Sequence, residues 1–191
     1  MTTTPPTSPR AELRQRLLSA RQTWAQGSAA PAAQAALDKR LAEVLAQLEP
    51  DCLGLYWPMK GEFNPRDAAR TAQSAWGSRL ALPYAEKTPV AMHFRPWSGE
   101  APTVVDACGI PSTEGKPVVP DVVLVPCVGF TAEGYRLGYG GGYFDRFLAD
   151  HPGVTALGLA WDERLLTRDA LAPQAHDIRL MAVVTPSQIW G

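Results

Sequence analysis

The apolar residues of the chain change period several times. After Pro9, AELRQRLLSARQTWA sets Leu13, Leu17, Ala20 and Trp24 at helical spacing, with Arg10, Arg14, Arg16 and Arg21 around them. The spacing predicts a helix from Arg10, and Pro9 suits its start. A second helix is predicted over about 31–47, with an apolar face of alanine and leucine and Pro50 just beyond it. The run CLGLYWP (52–58) reads as a first buried strand and is followed by the loop MKGEFN. A helix over about 65–78 and strands from Arg79 and Val90 come next. Residues 98–120, rich in Pro, Gly, Ser and Thr, read as a long surface connection. DVVLVPCVGF (121–130) is the most strand-like segment. A glycine loop leads to a helix over about 142–150, and VTALGLAW and RLMAVVTP supply the last strands.

Helices alternating with apolar strands predict an α/β domain of three layers, α/β/α and Rossmann-like, around a mostly parallel sheet, with room for mixed pairing, buried on both faces. Residues 1–9, TTTPPTSP after the initiator, cannot build core and read as a disordered tail; residues 10–191 form the single domain. Ligands of such sheets bind beyond the carboxyl ends of the strands, so the loops after Trp57, Phe130 and Trp161 are the places to look.

Composition narrows the classes. A chain of 191 residues buries a core without staples. Eighteen Lys and Arg against nineteen Asp and Glu give a net charge of −1. That balance argues against a nucleic-acid partner but permits a local cationic pocket. Cys52, Cys108 and Cys127 have neither metal-ligand spacing nor a disulfide framework. With no signal-peptide pattern and no apolar run long enough to span a bilayer, a cytoplasmic protein without a membrane partner is expected.

The chemistry is concentrated in LVPCVGFTAEGYRLGYGGGYFDRFL (124–148). A strand ends at Pro126, a loop carries Gly138, Gly140, Gly141 and Gly142, and a helix with Tyr143, Asp145 and Arg146 follows. Such a loop lets backbone N–H groups approach an anion at a helix N-terminus. The order G-Y-G-G-G-Y is neither a Walker loop nor a dinucleotide fingerprint. On the glycines alone, a tight turn and a phosphate cradle both stand.

The whole segment resembles the 5-formyltetrahydrofolate cyclo-ligase (methenyltetrahydrofolate synthetase) family. The likeness rests on Pro126, Gly129-Phe130, Gly134-Tyr135-Arg136-Leu137-Gly138 and the run from Gly140 to Arg146. It extends to Arg10, Leu13 and Arg14, to YWPMKGEF from Tyr56 to Phe63, to GLAWDERL, and to His176-Asp177 with VVTP.

The resemblance implies that 5-formyltetrahydrofolate and ATP, with Mg²⁺, give 5,10-methenyltetrahydrofolate, ADP and phosphate. By that analogy Gly138, Gly140, Gly141, Gly142, Arg136, Arg10, Arg14 and Tyr143 hold ATP, and Arg136 and Asp145 are catalytic. Asp145 and Asp177 are the metal-side carboxylates, and Tyr56, Glu62 and Tyr143 serve the folate. His176 stays outside the catalytic set. A monomer is expected.

Three positions depart from the family pattern: Tyr139, where Arg or Met is frequent; Asn64, for Thr or Asp; and Arg164, near a frequent Gln. The usual Glu-Pro ahead of the main strand is also lacking, with Thr113-Glu114 nearest to it. Two rivals therefore remain: a paralogue with the same ATP site and another small substrate, and a nucleotide- or folate-binding protein without turnover.

Overall fold

The computed structural model describes residues 8–191. The expected tail thus falls mostly on residues 1–7, outside the described residues. Ser8 caps and Pro9 opens the first helix, α1 (Pro9–Ala25), one residue earlier than its spacing predicts. The Ser8 hydroxyl accepts the Ala11 N–H at 3.3 Å, and Pro9 fills the first turn, where a missing N–H costs nothing.

In α2 (Ala30–Leu48), Leu37, Leu41 and Leu45 repeat every fourth residue and are all buried. At about 2 kcal/mol each as an upper figure, they anchor this helix to the sheet. Strand β1 (Cys52–Gly54) is followed by α3 (Arg66–Trp76), β2 (Arg79–Lys87) and β3 (Val90–Trp97). Then come β4 (Val104–Val105), β5 (Pro111–Ser112), β6 (Val122–Pro126), β7 (Gly129–Thr131) and β8 (Arg136–Leu137). The chain closes with α4 (Tyr143–Asp150), β9 (Thr155–Leu159), a 3-10 turn Asp162–Arg164, β10 (Leu165–Leu166), α5 (Arg168–Leu171), β11 (Ala182–Val184) and β12 (Ile189–Trp190).

The main sheet has seven strands in the order β12-β11-β9-β6-β1-β2-β3. Its five inner strands are parallel, and β3 and β12 pair antiparallel at the two edges. The sheet is thus mostly parallel, as predicted, and mixed only through its two edge strands. Strand β6 shows why its sequence is apolar throughout. Val122 and Leu124 pack with α2 and α3 on one face, and Val123 and Val125 pack with Phe147 and Leu148 of α4 on the other.

Several boundaries differ from expectation. The run 52–58 pairs over β1 and through the Leu55 N–H to the Ala81 carbonyl, and the chain then leaves the sheet to form the loop to Glu62. The run 121–130 is two strands in two sheets. Pro126 brings no N–H to a ladder, and after Cys127 the chain turns away to pair β7 with β8 and β10. The connection 98–120 carries the β4–β5 hairpin, and Val118 bridges to Phe94.

The fold places the site at a switch point. Strand β1 is followed in sequence by β2 on one side, and β6 lies on the other, so the crevice opens between the carboxyl ends of β1 and β6. The small β10-β7-β8 sheet and α1 stand over this end, held by Leu13, Leu17, Val128, Leu137 and Leu171.

Candidate active site

Two walls meet in the crevice. The first is the loop after β1. Glu62 is buried there, with its side chain 3% exposed. Its Oε2 accepts the Met59 N–H at 2.8 Å, and its Oε1 accepts the Tyr139 hydroxyl at 2.6 Å and lies 3.5 Å from Arg21 Nη2. Arg21 Nη2 also donates to the Tyr139 oxygen, and Arg21 Nε donates to the Lys60 carbonyl at 3.1 Å. Burial pushes the Glu62 carboxyl up; the Arg21 charge, the Tyr139 and Met59 hydrogen bonds and Lys60 oppose it. Burial and the Glu62 charge likewise raise the Tyr139 phenol. Trp161, after β9, donates its indole N–H to the Gly61 carbonyl at 2.8 Å. A hollow of about 470 Å³ opens beside Gln34, Gly61, Glu62 and Trp161.

Arg21 is the residue that sequence reasoning undervalues. It stands four residues after Leu17 and eight after Leu13, in register with the buried stripe of α1, and it is 1% exposed. A cation in an apolar register is the signal that could have singled it out from the other arginines of the helix.

The second wall is the glycine loop. Gly140 has φ +95° and Gly142 φ +65°, conformations that a side chain rarely adopts. Gly142 is the N-cap of α4 and brings no side chain to the free N–H groups of the first turn. Arg14 Nε donates to the Gly138 carbonyl at 2.7 Å, and a Cβ on Gly140 would lie 3.1 Å from the Arg14 guanidinium carbon. Burial and the neighbouring charge of Arg10 depress the pKa of Arg14. A groove of about 340 Å³ runs along α1 past Arg14, Gln15 and Lys60.

The remaining predicted residues fall as follows. Arg136 is buried; its Nη1 donates to the Ile178 carbonyl at 2.9 Å and its Nη2 pairs with Asp145 Oδ1 at 2.9 Å. Asp145 Oδ1 also accepts the Ile178 N–H at 3.0 Å. Arg10 forks onto both oxygens of Asp177, at 2.6 and 3.2 Å, and Asp177 Oδ2 also accepts the Gln174 N–H. Burial works against the Asp177 carboxylate, but the Arg10 and Gln174 hydrogen bonds and the Arg10 and His176 charges outweigh it and lower its pKa.

Tyr56 lies in the core and donates to the Phe63 carbonyl at 3.0 Å. Tyr143 accepts from the Cys108 thiol at 3.2 Å, at the connection before β6. Asn64 accepts Arg66 Nε at 3.0 Å and donates its backbone N–H to Gln34. Arg164 is buried beyond β9, near Arg21, and its Nε has no hydrogen-bond partner among the described residues.

The sequence model of the 5-formyltetrahydrofolate cyclo-ligase family matches residues 6–186. The chain belongs to this family. A 5-formyltetrahydrofolate cyclo-ligase of Escherichia coli K12 is 40% identical over 86 residues, 42% of this chain and 46% of that protein. One from Mycolicibacterium smegmatis is 37% identical over 70 residues, 36% of this chain and 34% of that protein. In these matches the chain spans less than half the length of the curated relatives.

Among solved structures, an Aquifex aeolicus 5,10-methenyltetrahydrofolate synthetase aligns with a TM-score of 0.74 at 28% identity, over 96% of this chain and 92% of that one. A Mycoplasma pneumoniae 5,10-methenyltetrahydrofolate synthetase aligns at 0.72 and 21% identity, over 93% and 98%, and that likeness bears on the fold alone. This cyclo-ligase family member has no helix, among the described residues, long and apolar enough to cross a membrane.

Proposed function

We propose that this chain is a 5-formyltetrahydrofolate cyclo-ligase that closes the folate ring at the expense of ATP. One observation carries the reading: a glycine loop capped by an arginine and a buried glutamate stand as facing walls of one switch-point crevice. Family membership gives that pair its chemistry.

A formyl oxygen is a poor leaving group. Its attack on the γ-phosphorus of ATP breaks the bond to ADP and makes the oxygen a phosphate ester. N10 then attacks the formyl carbon, phosphate departs with the bonding pair, and the N10 proton is lost, leaving the 5,10-methenyl cation. Catalysis of the first step consists of positioning and charge neutralisation. Gly138, Gly140, Gly141 and Gly142 hold the phosphates through backbone N–H groups, with Arg14 beside them and Arg10 one turn earlier on α1. Arg136 holds Asp145 in place. Glu62 serves the folate, with Tyr143 at the far side of the loop and Tyr56 behind the wall.

Magnesium commonly binds one or two carboxylates together with substrate phosphates. Asp145 fits, because its side chain is 20% exposed and its hydrogen bonds all fall on Oδ1. Asp177 joins it only by releasing Arg10, which occupies both oxygens. No three His, Cys, Asp or Glu side chains gather as a ligand cluster among the described residues. The ion would neutralise phosphate charge.

We also read residues 10–191 as one domain acting as a cytoplasmic monomer on small molecules, without nucleic acid. The three free thiols support a reducing compartment, and the charge of −1 supports the absence of nucleic acid.

The test is near-ultraviolet absorbance, where the methenyl product absorbs and the substrate does not. An ATP-dependent rise with 5-formyltetrahydrofolate is expected. If ATP binds without a rise, a paralogue with another substrate replaces this reading.

A further inference from the structure

Tyr139 belongs to both walls. Its backbone lies between Gly138 and Gly140, inside the loop assigned to phosphate. Its hydroxyl reaches across the crevice, accepts from Arg21 Nη2 and donates to Glu62 Oε1 at 2.6 Å. The Arg21 guanidinium carbon and the Lys60 ammonium lie 5.6 and 5.7 Å from its ring centroid. An arginine or methionine at this position could not do the same. Arginine accepts nothing from Arg21, and a thioether donates nothing to Glu62.

The arrangement has a mechanical consequence. A buried carboxylate is stabilised by the few donors around it, and a hydrogen bond of this length does not survive a displacement of about 1 Å. The groups facing Glu62 are Arg21 from α1, Tyr139 from the glycine loop, and the Met59 N–H and Lys60 from its own loop; Tyr56 and Cys127, beyond β1 and β6, are neutral neighbours. Of these, only Tyr139 belongs to the glycine loop itself; Arg21 shares α1 with Arg14 and is joined to the loop through the Tyr139 hydroxyl.

We propose that Tyr139 is a positioning residue that couples the glycine loop to Glu62, so that polyphosphate in the loop and folate at Glu62 alter each other's affinity through its hydroxyl. This rests on the reading given under Proposed function. Linkage requires the effect to be reciprocal.

The experiment compares wild type with Tyr139→Phe, which keeps the ring and removes the hydroxyl. Calorimetry with the imido analogue of ATP, which is not turned over, and 5-formyltetrahydrofolate measures each affinity alone and in the presence of the other ligand. In wild type each ligand shifts the other's affinity by the same factor, about fivefold or more; in Tyr139→Phe the factor falls to about one.

A second readout needs no folate. The carbon-13 signal of the Glu62 carboxyl, assigned by its loss in Glu62→Gln, is followed against pH and against the imido analogue. Removing the hydroxyl leaves burial less opposed, so Glu62 titrates at a higher pH in Tyr139→Phe. The analogue moves the signal in wild type and not in the variant. Equal coupling and equal titration in the two proteins overturn the proposal. If wild type does not bind 5-formyltetrahydrofolate, the functional reading fails, and the response of Glu62 to the analogue still decides the tether.

Discussion

The two walls of the crevice solve opposite problems. On the Glu62 wall the charges have met their partners inside the protein: Glu62 is held by Arg21, Tyr139 and a backbone N–H, and the Glu62 and Arg21 side chains are shielded from water. On the loop wall the backbone is bent by glycines and the Arg14 guanidinium touches a carbonyl oxygen rather than a carboxylate. The first wall is pre-organised to recognise one polar group. The second has donors and positive charge facing a space that an anion would fill. Under the proposed function, a site that selects its folate and also takes a polyphosphate would use one wall of each kind.

The largest expected effect lies on the loop wall. Asp145→Asn keeps the hydrogen bond to Ile178 but removes the charge offered to a cation; turnover should fall about 100-fold and Mg²⁺ dependence should weaken. Turnover unchanged across a Mg²⁺ titration would remove Asp145 from that role.

Next is Arg14→Gln. Losing one charge-assisted phosphate contact, worth about 2 kcal/mol, should raise the KM for ATP about 30-fold and leave the KM for folate within a factor of two. Equal loss for both substrates would contradict the division between walls.

Asp177→Asn tests a pair near the loop that is already satisfied. The folded pKa of Asp177 lies below its unfolded value of about 3.9, so its stabilising share is present above that pH and is lost as pH falls through the depressed folded value. The variant should be less stable by about 2 kcal/mol at neutral pH in urea unfolding. The gap should narrow on acidification and close once Asp177 is protonated.

The smallest effect concerns Arg164. Burial depresses its pKa; the Glu163 charge opposes this and the Arg21 charge adds to it, and Nε has no partner among the described residues. Arg164→Met should raise stability by about 1 kcal/mol in the same assay, because a buried cation gives way to apolar packing. A loss of stability would mean that Arg164 is satisfied in solution.

The frame of the molecule was legible because it follows local periodicity. Leu37, Leu41 and Leu45 announce α2, and the uninterrupted apolar run of β6 announces a strand covered on both faces. The glycine loop was legible as a motif. What escaped depends on tertiary partners. Nothing local says that Arg136 lies buried against Asp145, nine residues on, or that Arg10 reaches Asp177 across the chain. Nor does a strand pattern reveal that 121–130 divides between two sheets, since both halves are apolar and only their neighbours differ. Arg21 shows a signal present but outweighed, a charge in an apolar register on a helix rich in arginine.

The most direct test of the central claim, that both walls serve one reaction, is stoichiometry. Phosphate release and methenyl formation are followed together in one mixture of enzyme, ATP, Mg²⁺ and 5-formyltetrahydrofolate. The account predicts one phosphate for each methenyl formed, and neither product when ATP or folate is omitted. Phosphate released without folate, or ring closure without ATP, would contradict it.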